Sequence, residues 1–435
     1  MNGKVLVLTF VLIAGLLSAA GCITVGTVGP SPSAAPANET GLSVAFVRDG
    51  NIQLWNESTG QTRTIVDTGD VIGVSMSDDG QLIAYLRRSA VQLATGEGIE
   101  QSALWAVDRN GGNPRELVSA ESLRQRLDAG ERESTNIPQM EWIPGTHSLL
   151  FSGWKYIVIA EGESHAVPEG LSLVDADALT DVTLIPAGNR LRFVPSPDGG
   201  QVALLSAESL GFIAVDGSSP RPDVLTYSSS MLPGPVFPTG VWTRDSSAFV
   251  IAAPLGSSSA GLDFSAWRVP VDGSAPVPLA DILHSEPRSI TFAPDGKHMA
   301  YVQFTDGQPP EIAGWTITPL TPEAGPLAVS TKIEFESFAN LHWTPAGEAF
   351  TRNLRKLCPD ATSDSNICDV RISFDGTPAA IQWIDGSRVL LLTRNPSVLF
   401  LGSMDFTGNM DGTTIPIIAW PLEDWVSSKS FTMAK

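Results

Sequence analysis

The side chains best suited to chemistry lie near the end of the chain. Asp405-x-Thr407-x-Asn409-x-Asp411-Gly412 alternates oxygen-bearing side chains, a pattern that suits a hard cation such as calcium. It lacks the Gly at the sixth position and the terminal bidentate Glu of an EF-hand, so an ordinary polar turn stands beside that reading. Asp360, Asp364, Asn366 and Asp369 crowd a second loop and leave the same choice open. No other cofactor is indicated. The five histidines, at 147, 165, 284, 298 and 342, form no metal-ligand pair at helix or strand spacing. His342 precedes Trp343 in a strand and either faces a channel or packs as a hydrogen-bonded partner; His147 reads as a solvated turn residue. Gly256-Ser257-Ser258-Ser259-Ala260-Gly261 lacks the Gly-x-Ser-x-Gly spacing of a nucleophile elbow and reads as a loop. We expect no catalytic residues.

One recurring phrase supplies the elements that position these groups. An apolar or Trp-bearing stretch runs into a short turn and then into a second apolar stretch. It reads VSMSDDGQLIAYL at 74–86, MEWIPGTHSLLFS at 140–152, FVPSPDGGQVALLS at 193–206 and VWTRDSSAFVIA at 241–252. It returns as ITFAPDGKHMAYV at 290–302, LHWTPAGEAFTR at 341–352 and IQWIDGSRVLLLT at 381–393. Asp-Gly predicts a two-residue hairpin turn, because positive φ costs little there. Tryptophans recur in two phases: Trp142, Trp242, Trp343 and Trp383 end first strands, while Trp55, Trp105, Trp267 and Trp315 lie in later ones. Fixed phases point to packing between repeats rather than to sugar stacking. Trp154, Trp420 and Trp425 fall outside both phases, and Trp154 with Tyr156 is the better candidate for a ligand contact. Four antiparallel strands per unit, repeating at roughly 40–65 residues, predict an all-β fold: a β-propeller of seven or eight blades, with eight favoured because an incomplete unit at 43–66 precedes the seven hairpin signals. One segment, 119–134, predicts a short helix capped by Ser119.

The phrases SPDGGQVALL and APDGKHMAYV resemble the repeats of TolB-type, WD-repeat-like β-propellers, in which a Ser/Ala-Pro-Asp-Gly turn joins the first two strands of a blade. The likeness spans residues 43–403. Pro-Asp-Gly is intact at 197–199 and 294–296 and degraded elsewhere, as at Asp78-Asp79-Gly80 and Arg244-Asp245-Ser246. It implies a fold, and fold alone assigns no function. Hydrolase relatives of such propellers carry an added domain; no stretch of that size follows residue 420.

The N-terminus, MNGKVLVLTFVLIAGLLSAAGC, has Lys4, an apolar run from Val5 to Leu17, small residues and then Cys22. The run is shorter than the ~20 residues of a membrane span. Its end resembles the lipobox of bacterial lipoproteins, with Ala19 where Leu is preferred. The resemblance implies removal of residues 1–21 and lipidation of Cys22; plain secretory cleavage after Ala20 is the alternative. A Pro/Ser/Ala-rich linker follows within 22–42, then the propeller at 43–420 and a tail at 421–435. With Cys22 assigned to lipid, Cys358 and Cys368 remain as a pair. A disulfide between them in an exported chain would stabilise by ~2–3 kcal/mol.

The formal charge of −20 argues against nucleic acid and against a polybasic membrane patch. The expected contact with the membrane is the lipid on Cys22. The tight turns fall on one face of a propeller. The long connections, at 87–102, 160–170, 254–263, 305–312 and 352–367, fall on the other, with the helical insertion, where loops usually bind. The sequence therefore points to an exported, lipid-anchored scaffold at the cell envelope that binds protein or glycan on its long-loop face. Two alternatives stand: a calcium-dependent, lactonase-like hydrolase with its site in the central channel, and a structural subunit of an envelope complex.

Overall fold

A computed structural model describes residues 41–434 except 93–97, 161–162, 166–167, 228–236, 258–261, 286–288, 305–311, 321–326, 330–341, 346, 348, 351–354, 358–366, 372–376, 386–387, 395–396, 405–413 and 423–427. Antiparallel strands dominate it. The first sheet joins Ser43–Arg48, Asn51–Asn56 and Gln61–Val66 to the last strand of the chain, Phe431–Ala434. Strands at 192–226, 342–371 and 377–421 form further four-stranded sheets in sequence order. Two larger sheets, of nine and eight strands, each divide into consecutive meanders. In the nine-stranded sheet the meander of 71–118 touches that of 134–190 by one bridge, Gln101 to Thr135. In the eight-stranded sheet, 240–285 touches 291–329 by one bridge, Ser285 to Gln303.

Period-2 alternation explains how these meanders pack. In Ser43–Arg48, Val44 and Phe46 pack with Leu390, Leu392 and Trp420 of the last meander. Ala45 and Val47, on the opposite side of the same strand, pack with Val74, Ile83 and Tyr85 of the second. Both faces of a meander are therefore buried, and the core is a series of seams between neighbours. Such seams join 71–118 to 134–190, 134–190 to 192–226, 192–226 to 240–285 and 240–285 to 291–329. Successive four-stranded meanders packed face to face, with the two chain ends sharing one sheet, make this an all-β propeller. The segment set apart as a tail, 421–435, thus carries the strand that completes the first sheet: Phe431–Ala434 pairs antiparallel with Ser43–Phe46.

The seam tryptophans behave as packing groups. Trp242 is buried 5.5 Å from Phe212 and 5.3 Å from Phe249, and its indole N–H donates to the Val194 carbonyl. Trp420, outside the two phases, sits in the closing seam, 5.0 Å from Phe46 and 5.7 Å from Trp55.

The helix is shorter than the predicted 119–134: it runs Ala120–Arg126, with Ser119 accepting from the Ser122 amide. Asp128 at φ 48 turns the chain out of helical geometry. Leu123 and Leu127 pack where a side chain at Gly153 would sit; a Cβ there would lie 2.9 Å from Leu127 Cδ1.

Candidate functional site

The turn phrase builds one end of the molecule. Asp49-Gly50, between paired Arg48 and Asn51, forms the two-residue turn that Asp-Gly predicts, but the recurring phrase does not. Five residues, 77–81, separate the strands Val71–Met76 and Leu82–Gln92. The Gly80 amide donates to the Ser77 carbonyl at 2.8 Å. Asp79 accepts from the Gln81 amide at 3.0 Å and from the Ser77 hydroxyl at 2.6 Å, and Ser77 Oγ accepts from the Leu82 amide. Residues 196–201 and 243–248 repeat this pattern around Asp198 and Asp245. Side-chain capping of a longer loop replaces the two-residue turn because the Ser or Thr two residues before the Asp completes the cage. Hydrogen bonds from Thr243 and then Ser247 hold the Asp245 carboxyl down to about 2.

Polar struts also cross the seams at this end. His147 Nδ1 lies 2.7 Å from Asp177 and its Nε2 lies 3.0 Å from Asp79 of the neighbouring meander. The imidazole is half-buried, not solvated as its turn position implied. Burial disfavours its charged form, but the hydrogen bonds and charges of Asp177 and Asp79 outweigh this and raise its pKa. Arg115 extends the strut, donating to Asp108, to Asp177 and to the Ala176 carbonyl. Arg388 joins Asp385 to Glu57 across the closing seam, and Arg109 donates to Ser43 across the next.

The inner edge of the sheets is different. First strands of two meanders, Val71–Met76 and Ser134–Trp142, meet Thr377–Trp383 and the closing strand around one cavity of about 380 Å³. Convergence of these strands identifies this as the central channel. Its polar lining is Ser75, Gln139, Glu141, Gln382, Lys429 and Thr432, beside Val74, Met140 and Ile381. Gln139 is committed to the next meander, donating to the Phe193 carbonyl at 2.6 Å. Thr432 accepts from the Met76 amide at 3.2 Å and ties the closing strand to the second meander. Lys429, on a single helical turn before that strand, donates to the Pro138 carbonyl. Crowding by protein raises the Glu141 pKa, against the charge of Lys429. The same crowding lowers the Lys429 pKa, against the charge of Glu141. Water still reaches both side chains from the channel, so they are crowded rather than sealed. The Ser75, Glu141 and Gln382 side chains make no hydrogen bond to protein among the described residues.

At the end opposite the turns, segments expected as loops are paired strands. Residues 87–92 and 98–102 belong to two strands that stay in register from the Leu82 and Asp108 pair to the Gln92 and Gly98 pair. Residues 254–257 and 262–263 likewise continue the pairing of Ala248–Ser257 with Leu262–Pro270. Polar residues in these stretches obscured the strand pattern, but continuing the ladder pairs backbone N–H and C=O groups that a loop would leave to water. The strands of 82–108, 134–160 and 248–270 thus form arms of 9–13 residues, against 4–6 in the first sheet. Val91, Tyr156, Leu255 and Leu283, on these arms and the adjoining strand, are 40%, 43%, 54% and 47% exposed. Trp154 is half-buried on the same face of its strand as Tyr156.

The residues first singled out in the sequence are not among those described at this site. Cys22, Cys358, Asp405, Asn409 and Asp411 lie outside the described residues, and of Cys368 only the backbone of Ile367–Arg371 is described. Among the described residues no group of three or more His, Cys, Asp or Glu has an arrangement that would hold a metal ion. Glu141 and Lys429 were missed; the available signal was a carboxylate inside a first strand, directly before Trp142.

No family model matches the chain, and no curated protein matches it. Solved structures resemble it distantly. An oligogalacturonate lyase in complex with manganese is 14% identical, with 69% of this chain and 78% of that one covered and a TM-score of 0.44. A eukaryotic initiation factor is 10% identical, over 89% and 97%, with a TM-score of 0.48. The β-propeller domain of the Trilobed protease from Pyrococcus furiosus is 12% identical, over 81% and 96%, with a TM-score of 0.44. Likeness at this level transfers no activity.

Proposed function

We propose that the chain is an exported, lipid-anchored propeller of eight blades that binds a protein partner through its arms. One observation carries this reading: paired strands extend as arms at one end and expose Val91, Tyr156, Leu255 and Leu283, whereas at the other end Leu179, Val182 and Val277 are also exposed but lie beside short turns that capping bonds and struts hold in place. Exposed apolar groups on a rigid frame are the usual mark of a protein contact. The chain enters its first sheet at the turn end, where Arg109 reaches Ser43. A lipid on Cys22, joined through the Pro/Ser/Ala linker, would therefore hold the turn end toward the membrane and present the arms outward.

Photo-crosslinking of the anchored protein tests this. A crosslinking residue at Val91, Tyr156 or Leu255 should give one shared protein adduct, competed by excess unlabelled protein. The same residue at Gln81, Ser247 or Lys297 on the turns should give none. Adducts from the turns alone, or adducts only with polysaccharide, would overturn the protein reading. Cys22→Ser should move the protein from the membrane fraction to the soluble one; retention would remove the lipid anchor from the account.

A further inference from the structure

The strand edges of this molecule are not all treated alike. An edge presents a row of backbone N–H and C=O groups, and a slip in register twists that row away from other chains. Each outer strand of a meander except Leu327–Val329 slips register against its neighbour. The arm of Ala248–Ser257 slips between Pro254 and Gly256, and Pro254 has no N–H to offer. The arm of Ser134–Trp142 and Ser148–Ala160 slips between Asn136 and Gln139. The arm of Leu82–Gln92 and Gly98–Asp108 keeps one register from end to end.

Leu82–Gln92 also outruns its inner neighbour. Pairing with Val71–Met76 stops at Val71 and Arg87, and residues 88–92 stand exposed beyond it. The Arg88 amide donates to the Asp70 carbonyl, which fixes the direction of that edge. Strand alternation turns the N–H and C=O of Ala90 and Gln92 the same way, where no strand meets them among the described residues. A charge on an edge deters pairing, but Arg88 is answered within the arm by Glu100 at 3.5 Å. Val91, exposed, lies between the two outward-turned residues. This edge is self-complementary. Laid antiparallel about a two-fold axis at Val91, Ala90 of one copy faces Gln92 of the other, and each such pair exchanges two backbone hydrogen bonds. The two Val91 side chains then meet as a close pair without hydrogen bonds between their backbones.

We propose that a second copy of this chain docks here, its residues 88–92 pairing antiparallel with the same residues of the first, so that two arms form one continuous sheet. A second copy matches every outward backbone group of Ala90 and Gln92 and covers the exposed valine with its own equivalent. The proposal rests on the reading that the arms bind protein, and it names that protein.

Sedimentation of the full chain in detergent tests this, together with cysteine linking. The protein should show a concentration-dependent equilibrium between monomer and dimer. Val91→Arg sets two like charges on the axis; Ala90→Pro deletes an outward N–H and no bond within the arm. Each, confirmed folded by circular dichroism, should weaken the dimer at least about tenfold. With oxidised glutathione, Val91→Cys should give a disulfide-linked dimer that Ser89→Cys and Gln92→Cys do not, because position 91 faces itself across the axis and they do not. Three results would overturn the pairing: a monomer at every concentration up to about 0.1 mM, a dimer unchanged in Val91→Arg, or linking at 89 or 92 equal to that at 91. A monomer that still crosslinks from Val91 to a different protein would overturn the second copy and leave the arm reading standing. No adduct from any arm would remove both.

Discussion

Glu141 and His147 lie in one hairpin phrase, yet their surroundings differ in kind. His147 sits at the turn with both ring nitrogens engaged by carboxylates from two meanders. Glu141 sits on the preceding strand, facing the channel, with no hydrogen bond from protein and a lysine charge near it. Polar groups bonded to protein on both sides hold neighbours in place; a water-exposed carboxylate that no protein donor meets does not. The turn end of this molecule is therefore a frame, and the binding proposed above is assigned to its other surfaces.

The contrast can be broken first at the turns themselves. Gly199 has φ 70, and a Cβ there would lie 2.8 Å from the Pro144 carbonyl oxygen of the neighbouring meander. Gly199→Ala should cost about 1–3 kcal/mol and lower the thermal midpoint by several degrees, read by calorimetry. An unchanged midpoint would mean that the seam yields there.

His147→Ala should cost less, about 1 kcal/mol at pH 6, because its carboxylate partners are more than half exposed and solvent screens the pair. Its folded pKa is raised, so its stabilisation is full below the unfolded value near 6.5 and is lost as pH rises through the folded value. The deficit of the variant should therefore shrink by pH 8.5, as read from urea midpoints. Asp79, lowered in the fold despite burial, works in the opposite sense: its contribution is present above about pH 4 and is lost below, as pH falls through its folded value.

Much of this arrangement was legible in the residues. The Asp-Gly phrases marked the turns, the two tryptophan phases marked the seams, and Ser119 marked the helix start. These are local signals, and local physics decides them. Turn geometry was misread because the Ser77 and Ser196 hydroxyls, two residues before the aspartates, convert a two-residue turn into a capped longer one. The arms were read as loops because polar residues such as Arg87, Arg88 and Gln92 hide strand periodicity on a half-exposed ladder. Lys429 and Pro138 meet across 291 residues, and only ring closure brings them together. No spacing rule reaches that far. The channel site was therefore invisible, while the calcium candidates at Asp405, Asn409 and Asp411 were conspicuous because they lie close in sequence.

The smallest expected effect is also the most telling. Glu141 has a raised folded pKa, so its penalty is absent below the unfolded value near 4.3 and full above the folded one. Replacing it by Gln removes that penalty at neutral pH, against the lost attraction to Lys429; both side chains are exposed and solvent screens each contribution, leaving a net change within about 0.5 kcal/mol. Urea midpoints of the unmodified protein, His147→Ala and Glu141→Gln, measured side by side from pH 5.5 to 8.5, test the division between frame and site directly. The account predicts a deficit for His147→Ala that grows toward acid pH and a midpoint for Glu141→Gln at or above the unmodified one near pH 8. A Glu141→Gln midpoint below that of His147→Ala across the range would contradict it and make the channel pair a strut.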